Sequence, residues 1–177
     1  MKQLRIHGLP LVIILIIGLF GSKALFHSGF YTSHDGEHQL ARLFIFEQGL
    51  LDGQIPVRYS RQLYGGIGYP LFVFTYRLPF YIGEAFHLVG FSFADSIKAV
   101  FVVTYIASGF SMYWFASRWG RLAGLVSAIL YLFTPYRFVA MYVRAALGEH
   151  VAFLFCPLLF KSIYKGKMTI SRVFLGG

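Results

Sequence analysis

The amino-acid sequence predicts an all-α, polytopic transmembrane bundle of about four spans, with interfacial helices in a long first external loop. Of the 177 residues, 57% are hydrophobic and only 13% charged, against roughly 45–50% and about 25% in a soluble domain. Apolar blocks recur at about 9–26, 99–116, 122–138 and 151–163. The basic residues flank these blocks instead of forming one face, so the net charge of +9 points to cytoplasmic loops and anionic headgroups and not to nucleic acid. The single cysteine, Cys156, lies within an apolar run, which leaves no disulfide framework and reads as a small buried hydrophobe.

The first block follows Lys2, Arg5 and His7, and its core from Leu11 to Phe20 carries no polar side chain. At about 1.5 Å per residue it is just long enough to cross hydrocarbon. No small-x-small cleavage site follows, which favours an uncleaved signal anchor. The next stretch, 27–95, holds six of the seven acidic residues. Within it, 39–52 is amphipathic, with Leu40, Leu43, Phe44, Leu50 and Leu51 on one side. Asp52-Gly53 and Pro56 end that helix. Tyr64-Gly65-Gly66-Ile67-Gly68-Tyr69-Pro70 is a loop that no helix tolerates.

Segment 71–91 is apolar enough to span, yet Arg77, Pro79, Glu84 and His87 interrupt it, and such groups are costly at mid-bilayer depth. Charge bias decides its place. If 71–91 spans, Arg118, Arg121, Lys161, Lys165 and Lys167 fall outside, against the positive-inside rule. If it lies in the interface, the cytoplasmic side collects Lys2, Arg5, Arg118, Arg121, Lys161, Lys165, Lys167 and Arg172 without one acid. The sequence therefore predicts a multi-pass protein of the cell (inner) membrane with its N-terminus cytoplasmic, an external loop over 27–97 and a second near 135–150. From Met168 a new apolar pattern begins and stops abruptly, as expected of a single N-terminal module, 1–177, of a longer chain.

Thr32-Ser33-His34-Asp35-Gly36-Glu37-His38 sets two carboxylates and two imidazoles directly after the first span. Asp35 and Glu37 can share a divalent cation such as Mg or Mn, or one can act as a general base that the other orients. Asp35 is equally a good helix N-cap, and Glu37 suits a first turn. Both readings are compatible. Arg58, Arg61 and the glycine-aromatic loop with Tyr64 offer guanidinium forks to an anionic headgroup, or simply snorkel at the interface. In the second loop, Arg144 and Glu149 either pair with each other or face a phosphate and the first-loop site respectively.

A span, then His-Asp-Gly-Glu-His, then an amphipathic helix ending Asp-Gly-Gln-Ile-Pro, then Tyr-Gly-Gly-Ile-Gly-Tyr-Pro is similar to large bacterial membrane proteins named "6-pyruvoyl-tetrahydropterin synthase-related". Gly-Arg-Leu-Ala-Gly, Tyr-Leu-Phe-Thr-Pro-Tyr-Arg-Phe and Val-Arg-Ala-Ala-Leu-Gly-Glu also resemble that family, over roughly residues 30–160. Nothing resembles the soluble pterin enzyme. The family looks like a branch of the C-type glycosyltransferases, polytopic enzymes that take sugars from polyprenyl-phosphate carriers. The resemblance implies a catalytic carboxylate in the first external loop, which maps onto Asp35, with Glu37 next. It implies a polyprenyl-phosphate lipid, a glycan acceptor and membrane lipids as partners. It also implies more spans and often a soluble C-terminal domain.

The sequence thus leads to an inverting, lipid-carrier-dependent sugar transfer. Asp35 takes the acceptor proton, Arg144 with Arg58 steadies the departing phosphate, and Tyr64 and Glu149 complete the binding set. A transporter or flippase of lipid-linked glycans, or a non-catalytic envelope assembly subunit, would use the same external charges for binding alone. A reporter placed at Gly120 should lie on the cytoplasmic side and one at Gly53 on the external side. An external Gly120 would make 71–91 a true span.

Overall fold

Eight α-helices and no β-strand form among the described residues of the computed structural model, which describes residues 2–175, with side chains from 7 to 164. The side chains of Lys2, Arg5, Lys165, Lys167 and Arg172, and the apolar pattern from Met168 on, lie outside the described side chains. The long helices are α1 (Lys2–Ser22), α5 (Phe93–Ala116) and α8 (Leu147–Leu175), and α2 (Gly36–Leu51) follows α1. Between α2 and α5 lie the short α3 (Leu71–Phe74) and α4 (Leu78–Leu88). After α5 come α6 (Arg121–Leu132) and α7 (Pro135–Phe138).

Among the described residues, three helices are long and apolar enough to cross a membrane: His7–Phe26, Phe93–Trp119 and Leu147–Tyr164. Arg121–Leu132 and Pro135–Val143, bent by 47° at their break, make a fourth if counted as one span. Segment 71–91 holds no such helix. It divides at Thr75-Tyr76-Arg77, and the 11 residues of α4 reach only about 16 Å. Pro79 sits in the first turn of α4, where its missing N–H removes no helical bond.

Local chemistry sets the helix ends. Helix α5 begins at Phe93, earlier than its apolar block, because the Ser92 hydroxyl accepts from the Asp95 amide at 3.1 Å. Asp95 also puts a negative charge on that helix's first turn. The stretch expected to be a loop near 135–150 is mostly helical: α7 runs into a π-type turn over Val139–Val143, and only 144–146 link it to α8. Pro135 explains the difference. It cannot continue α6, but its fixed φ suits the first turn of a new helix.

Helix α5 is the hub, packing against α1, α2, α4, α6 and α8. Small residues bring α1 close to it. A Cβ added at Gly18 or Gly21 would lie 2.8 Å from Ile106 Cγ1 or the Tyr105 hydroxyl. Such close backbone approach is how helices associate in lipid, where burial of apolar area gives no drive. Leu9, Ile16 and Phe20 of α1, Leu122 and Leu130 of α6, and Leu159 and Phe160 of α8 point outward, as lipid-facing positions require.

The α6–α7 break frees carbonyls within this packed interior. Tyr105 donates to the Leu132 carbonyl at 2.8 Å, and Tyr131 of α6 donates at 2.7 Å to the Phe153 carbonyl of α8, which Pro157 leaves without a helical donor. Buried Arg137 lies among the rings of Tyr105, Tyr131 and Phe153, 5.2, 5.2 and 4.5 Å from their centres, and donates to Ser108 at 2.8 Å. Tyr105→Phe should lower stability to unfolding in detergent by about 1 kcal/mol, since it orphans a buried carbonyl. Tyr59→Phe removes an exposed bond to the Ile67 carbonyl and should change stability by less than about half that, because water replaces the donor.

Candidate functional site

The chain leaving α1 is tied down before it reaches α2. Buried Lys98 of α5 donates to the carbonyls of His27 and Gly29 at 2.8 and 2.9 Å, and pairs with Asp95 at 2.7 Å. Further along, the Tyr31 hydroxyl donates to the Met141 carbonyl at 2.5 Å. The amides of His34 and Asp35 then donate to the carbonyls of Val143 and Arg144, at 2.9 and 3.1 Å. Two backbone hydrogen bonds thus fix the first loop to the turn before α8. Asp35 occupies the N-cap position of α2, yet its side chain makes no capping hydrogen bond. The carboxylate is left facing a cavity.

That cavity, about 220 Å³, is lined by Asp35, Gln39, Arg42, Tyr76, Arg144 and Glu149, together with Ala146 and Gly148. Three segments build it. Gln39, buried, donates to the Ala145 carbonyl at 3.1 Å and to the Tyr76 hydroxyl at 3.3 Å. Ala145 holds φ at +51°, a left-handed conformation that costs a residue with a Cβ about 1 kcal/mol, and the Gln39 bond helps hold it. Tyr76 lies flat against Gly148, where any Cβ would collide with its ring. Sites that enclose whole drug-sized ligands hold roughly 300–1,000 Å³, so this cavity takes one ring or one phosphate group, not an entire lipid-linked molecule.

Its electrostatics divide into a closed pair and two open charges. Arg144 grips Glu149 with a two-pronged contact of 2.9 and 2.8 Å, and the Tyr136 hydroxyl donates to the same carboxylate at 2.6 Å while accepting from Arg144 at 2.8 Å. This is the geometry that planar guanidinium and carboxylate favour. Asp35 and Arg42 have no side-chain hydrogen bond or ion pair among the described residues. An acceptor-only carboxylate and a five-donor guanidinium therefore face one polar cavity.

The expected site residues separate. Asp35, Arg144 and Glu149 come together, but Glu37 is exposed on the first turn of α2, outside the cavity lining. Arg58 is exposed, and Tyr64 is 70% exposed with φ at +52°. Neither lines the cavity. Their loop folds on itself instead: the Gln54 side chain accepts from the amides of Arg58 and Tyr59 and donates to the Tyr59 carbonyl, and Arg61 reaches Asp52 at 3.6 Å. For the cation suggested at Asp35 and Glu37, no group of three or more His, Cys, Asp or Glu side chains able to hold a metal forms among the described residues. Arg42, Gln39 and Tyr76 went unread as site residues. For two of them a signal exists: positions 35, 39 and 42 recur at i, i+4 and i+7, one face of a helix.

The fold and this cavity define a helical protein with membrane-length helices and an ionisable cleft where the first loop meets the start of α8. No family model matches the chain. It is similar to a protein of Lactococcus lactis subsp. cremoris (strain MG1363), 24% identical over 160 residues that cover 87% of this chain and 26% of the relative, whose printed description is "Uncharacterized protein". The chain thus spans about a quarter of that relative's length. No solved structure matches it.

A second ionisable group lies beneath the loop, where α2 meets α4. Glu84 is buried with one carboxylate oxygen lacking any hydrogen-bond partner, and Glu47 of α2 pairs with His87 at 3.4 Å beside it. Burial raises the Glu84 carboxyl above its ordinary value of 4.5, Glu47 raises it further, and His87 opposes both. An acid raised in the folded state binds more protons folded than unfolded, so its contribution to stability falls as pH climbs above 4.5. Glu84→Gln should therefore gain stability over the parent progressively above that pH and show no gain below it, measured as Tm across a pH series in detergent.

Proposed function

We propose that this chain is the N-terminal membrane module of an inverting glycosyltransferase that takes sugar from a polyprenyl-phosphate carrier at the outer face of the cell membrane. In this reading it crosses four times, the bent α6–α7 pair counting as one span, with its N-terminus cytoplasmic and α2 to α4 lying along the external interface. The shortness of α3 and α4 supports that placement. So does the charge sorting, since every acid from Asp35 to Asp95, and Glu149, then falls on one side.

The observation that carries the reading is the Asp35 carboxylate, set in a polar cavity beside Arg42 and Arg144 with no side-chain partner of its own. A carboxylate so placed accepts the proton of an acceptor hydroxyl as that oxygen attacks the anomeric carbon. The bond from that carbon to the carrier phosphate breaks, and a guanidinium steadies the charge left on the phosphate. Arg42 suits this role, because Arg144 is already matched by Glu149. Arg144 and Glu149 then act as a fixed wall that holds the turn in register with Asp35. The resemblance to the pterin-synthase-related membrane family supports the same assignment of Asp35.

The test uses the full-length protein. Asp35→Asn removes the base at nearly constant volume and should lower sugar transfer by about 10²–10⁴-fold while carrier binding stays within a few-fold. Glu37→Gln should retain most activity, and Arg42→Gln should lose transfer more than acceptor binding. A protein that binds and moves the carrier but never transfers sugar, and whose binding collapses in Asp35→Asn, would instead be a transporter of lipid-linked glycans.

A further inference from the structure

Where the end of α4 meets the end of the first membrane-length helix and the start of α5, a groove of about 310 Å³ opens to the outside of the bundle. We propose that it holds one acyl chain of a phospholipid of the external leaflet, clamped against α5 by the turn 88–91. The inference rests on the placement of α4 at the external interface given above, and it is independent of sugar transfer.

Helix α5 supplies the floor. Asp95, Ala99, Val102 and Val103 line the groove, and their spacing of i, i+4, i+7 and i+8 makes them one stripe of a helix. From Phe93 to Val103 the helix rises about 15 Å, half of the roughly 30 Å hydrocarbon core of a bilayer. The groove thus follows α5 from the headgroup level through the depth of a single leaflet. Ala99, with the smallest side chain of the stripe, makes the room. Phe26 and Val103, both exposed and both in the lining, join the groove to the lipid-facing surface of the membrane-length helices. Its volume stands at the lower end of the roughly 300–1,000 Å³ of ligand sites, room for one chain and not for several.

The turn beside the groove is built to leave water. Residues 88–91 carry no polar side chain, and Leu88 and Val89 are 78% and 79% exposed, the kind of apolar surface that marks contact with a membrane or a protein. The chain reverses through Gly90 at φ +108°, a conformation that suits glycine. The amides of Val89, Gly90 and Phe91 donate to the carbonyls of Phe86, His87 and Phe86, at 3.2, 2.8 and 3.3 Å. The His87 Nδ1 donates to the Phe91 carbonyl at 2.7 Å. With these donors bonded internally, the backbone can enter a layer that holds little water. Charge then narrows the occupant. Lys98 is the one Lys or Arg in the lining, and its ammonium is taken by the His27 and Gly29 carbonyls and by Asp95. No cation is left for the phosphate of a carrier lipid, so hydrocarbon and not the headgroup supplies the attraction.

Fluorescence at the groove tests this. In the full chain with its two tryptophans, Trp114 and Trp119, replaced by Phe, Phe91→Trp sets a fluorophore in the lining. Leu122→Trp, on an outward-facing position of α6, is the reference for ordinary lipid contact. Each protein in uncharged detergent is titrated with phosphatidylcholine brominated on its acyl chains. Saturable quenching at position 91 is expected at a lipid concentration at least tenfold below that needed at position 122, and equally brominated phosphatidylglycerol should give the same midpoint within about twofold. Ala99→Phe fills the groove and should raise the midpoint at 91 to that at 122. If that variant fails to fold, Val103→Phe at the exposed end of the stripe should raise it at least threefold. Equal midpoints at 91 and 122, or an unchanged midpoint in a folded filling variant, would overturn the site. Absence of quenching at 91 would overturn it too, since protein and not lipid would then cover the turn. Displacement of the brominated lipid by a polyprenyl phosphate at tenfold lower concentration than by unbrominated phosphatidylcholine would give the groove to the carrier and overturn it equally. The titration involves no membrane orientation, so its failure leaves the placement of α4 to the reporters at Gly53 and Gly120.

Discussion

A helix broken inside an apolar bundle leaves carbonyls that water cannot reach, and each needs a donor from a neighbouring helix. Pro135 forces such a break, and Tyr105 answers it by donating to the Leu132 carbonyl. The same tyrosine meets Gly21 of α1 on one side, Arg137 and Phe138 on another, and stacks near His150 of α8. Helix α1, the bent α6–α7 pair and α8 therefore converge on one ring of α5. His150, fully buried, has its Nε2 3.2 Å from the Phe101 carbonyl, an acceptor that requires the proton on that nitrogen. With α1, α6–α7 and α8 referenced to α5 at this level, the ends of the helices have defined positions relative to each other.

The cleft at the Asp35 end depends on that frame. Asp35 stands where it does because the chain before it is bonded to 141–144, the end of the bent pair, and because Lys98 of α5 holds the carbonyls of His27 and Gly29. Loops usually move more than the helices they connect, but this one hangs on backbone groups of rigid elements at several points along its length. A π-type turn over Val139–Val143 supplies some of those carbonyls. Such turns leave backbone acceptors out of the regular ladder, and they are frequent at functional sites for that reason.

Arg137 shows how an apolar interior accommodates a charge without an acid. Its hydrogen bond goes to Ser108, and its faces meet three aromatic rings. The desolvation of an isolated cation is large, and rings recover only part of it. The side chain is carried into the interior because it follows directly on the break, two residues after Pro135, and α7 turns that position inward. The Asp35 cleft, by contrast, gathers carboxylates with cations.

The sequence determined the class of this protein, because apolar runs as long as a bilayer is thick admit few structures other than helices. It also singled out Asp35, Arg144 and Glu149, which line one cavity in the structure. Tertiary structure decided which of those residues meet. The pairing of Arg144 with Glu149 depends on the left-handed turn at Ala145, and no pattern of residue types specifies that turn. Arg58 and Tyr64 left the cleft because Gln54 closed their loop on itself, while Arg42 entered it on the α2 face that Asp35 begins. Periodicity reports which side of a helix is polar. Which polar groups face one another across a cleft is set by helix crossings and chain reversals, and those depend on contacts between residues far apart in sequence.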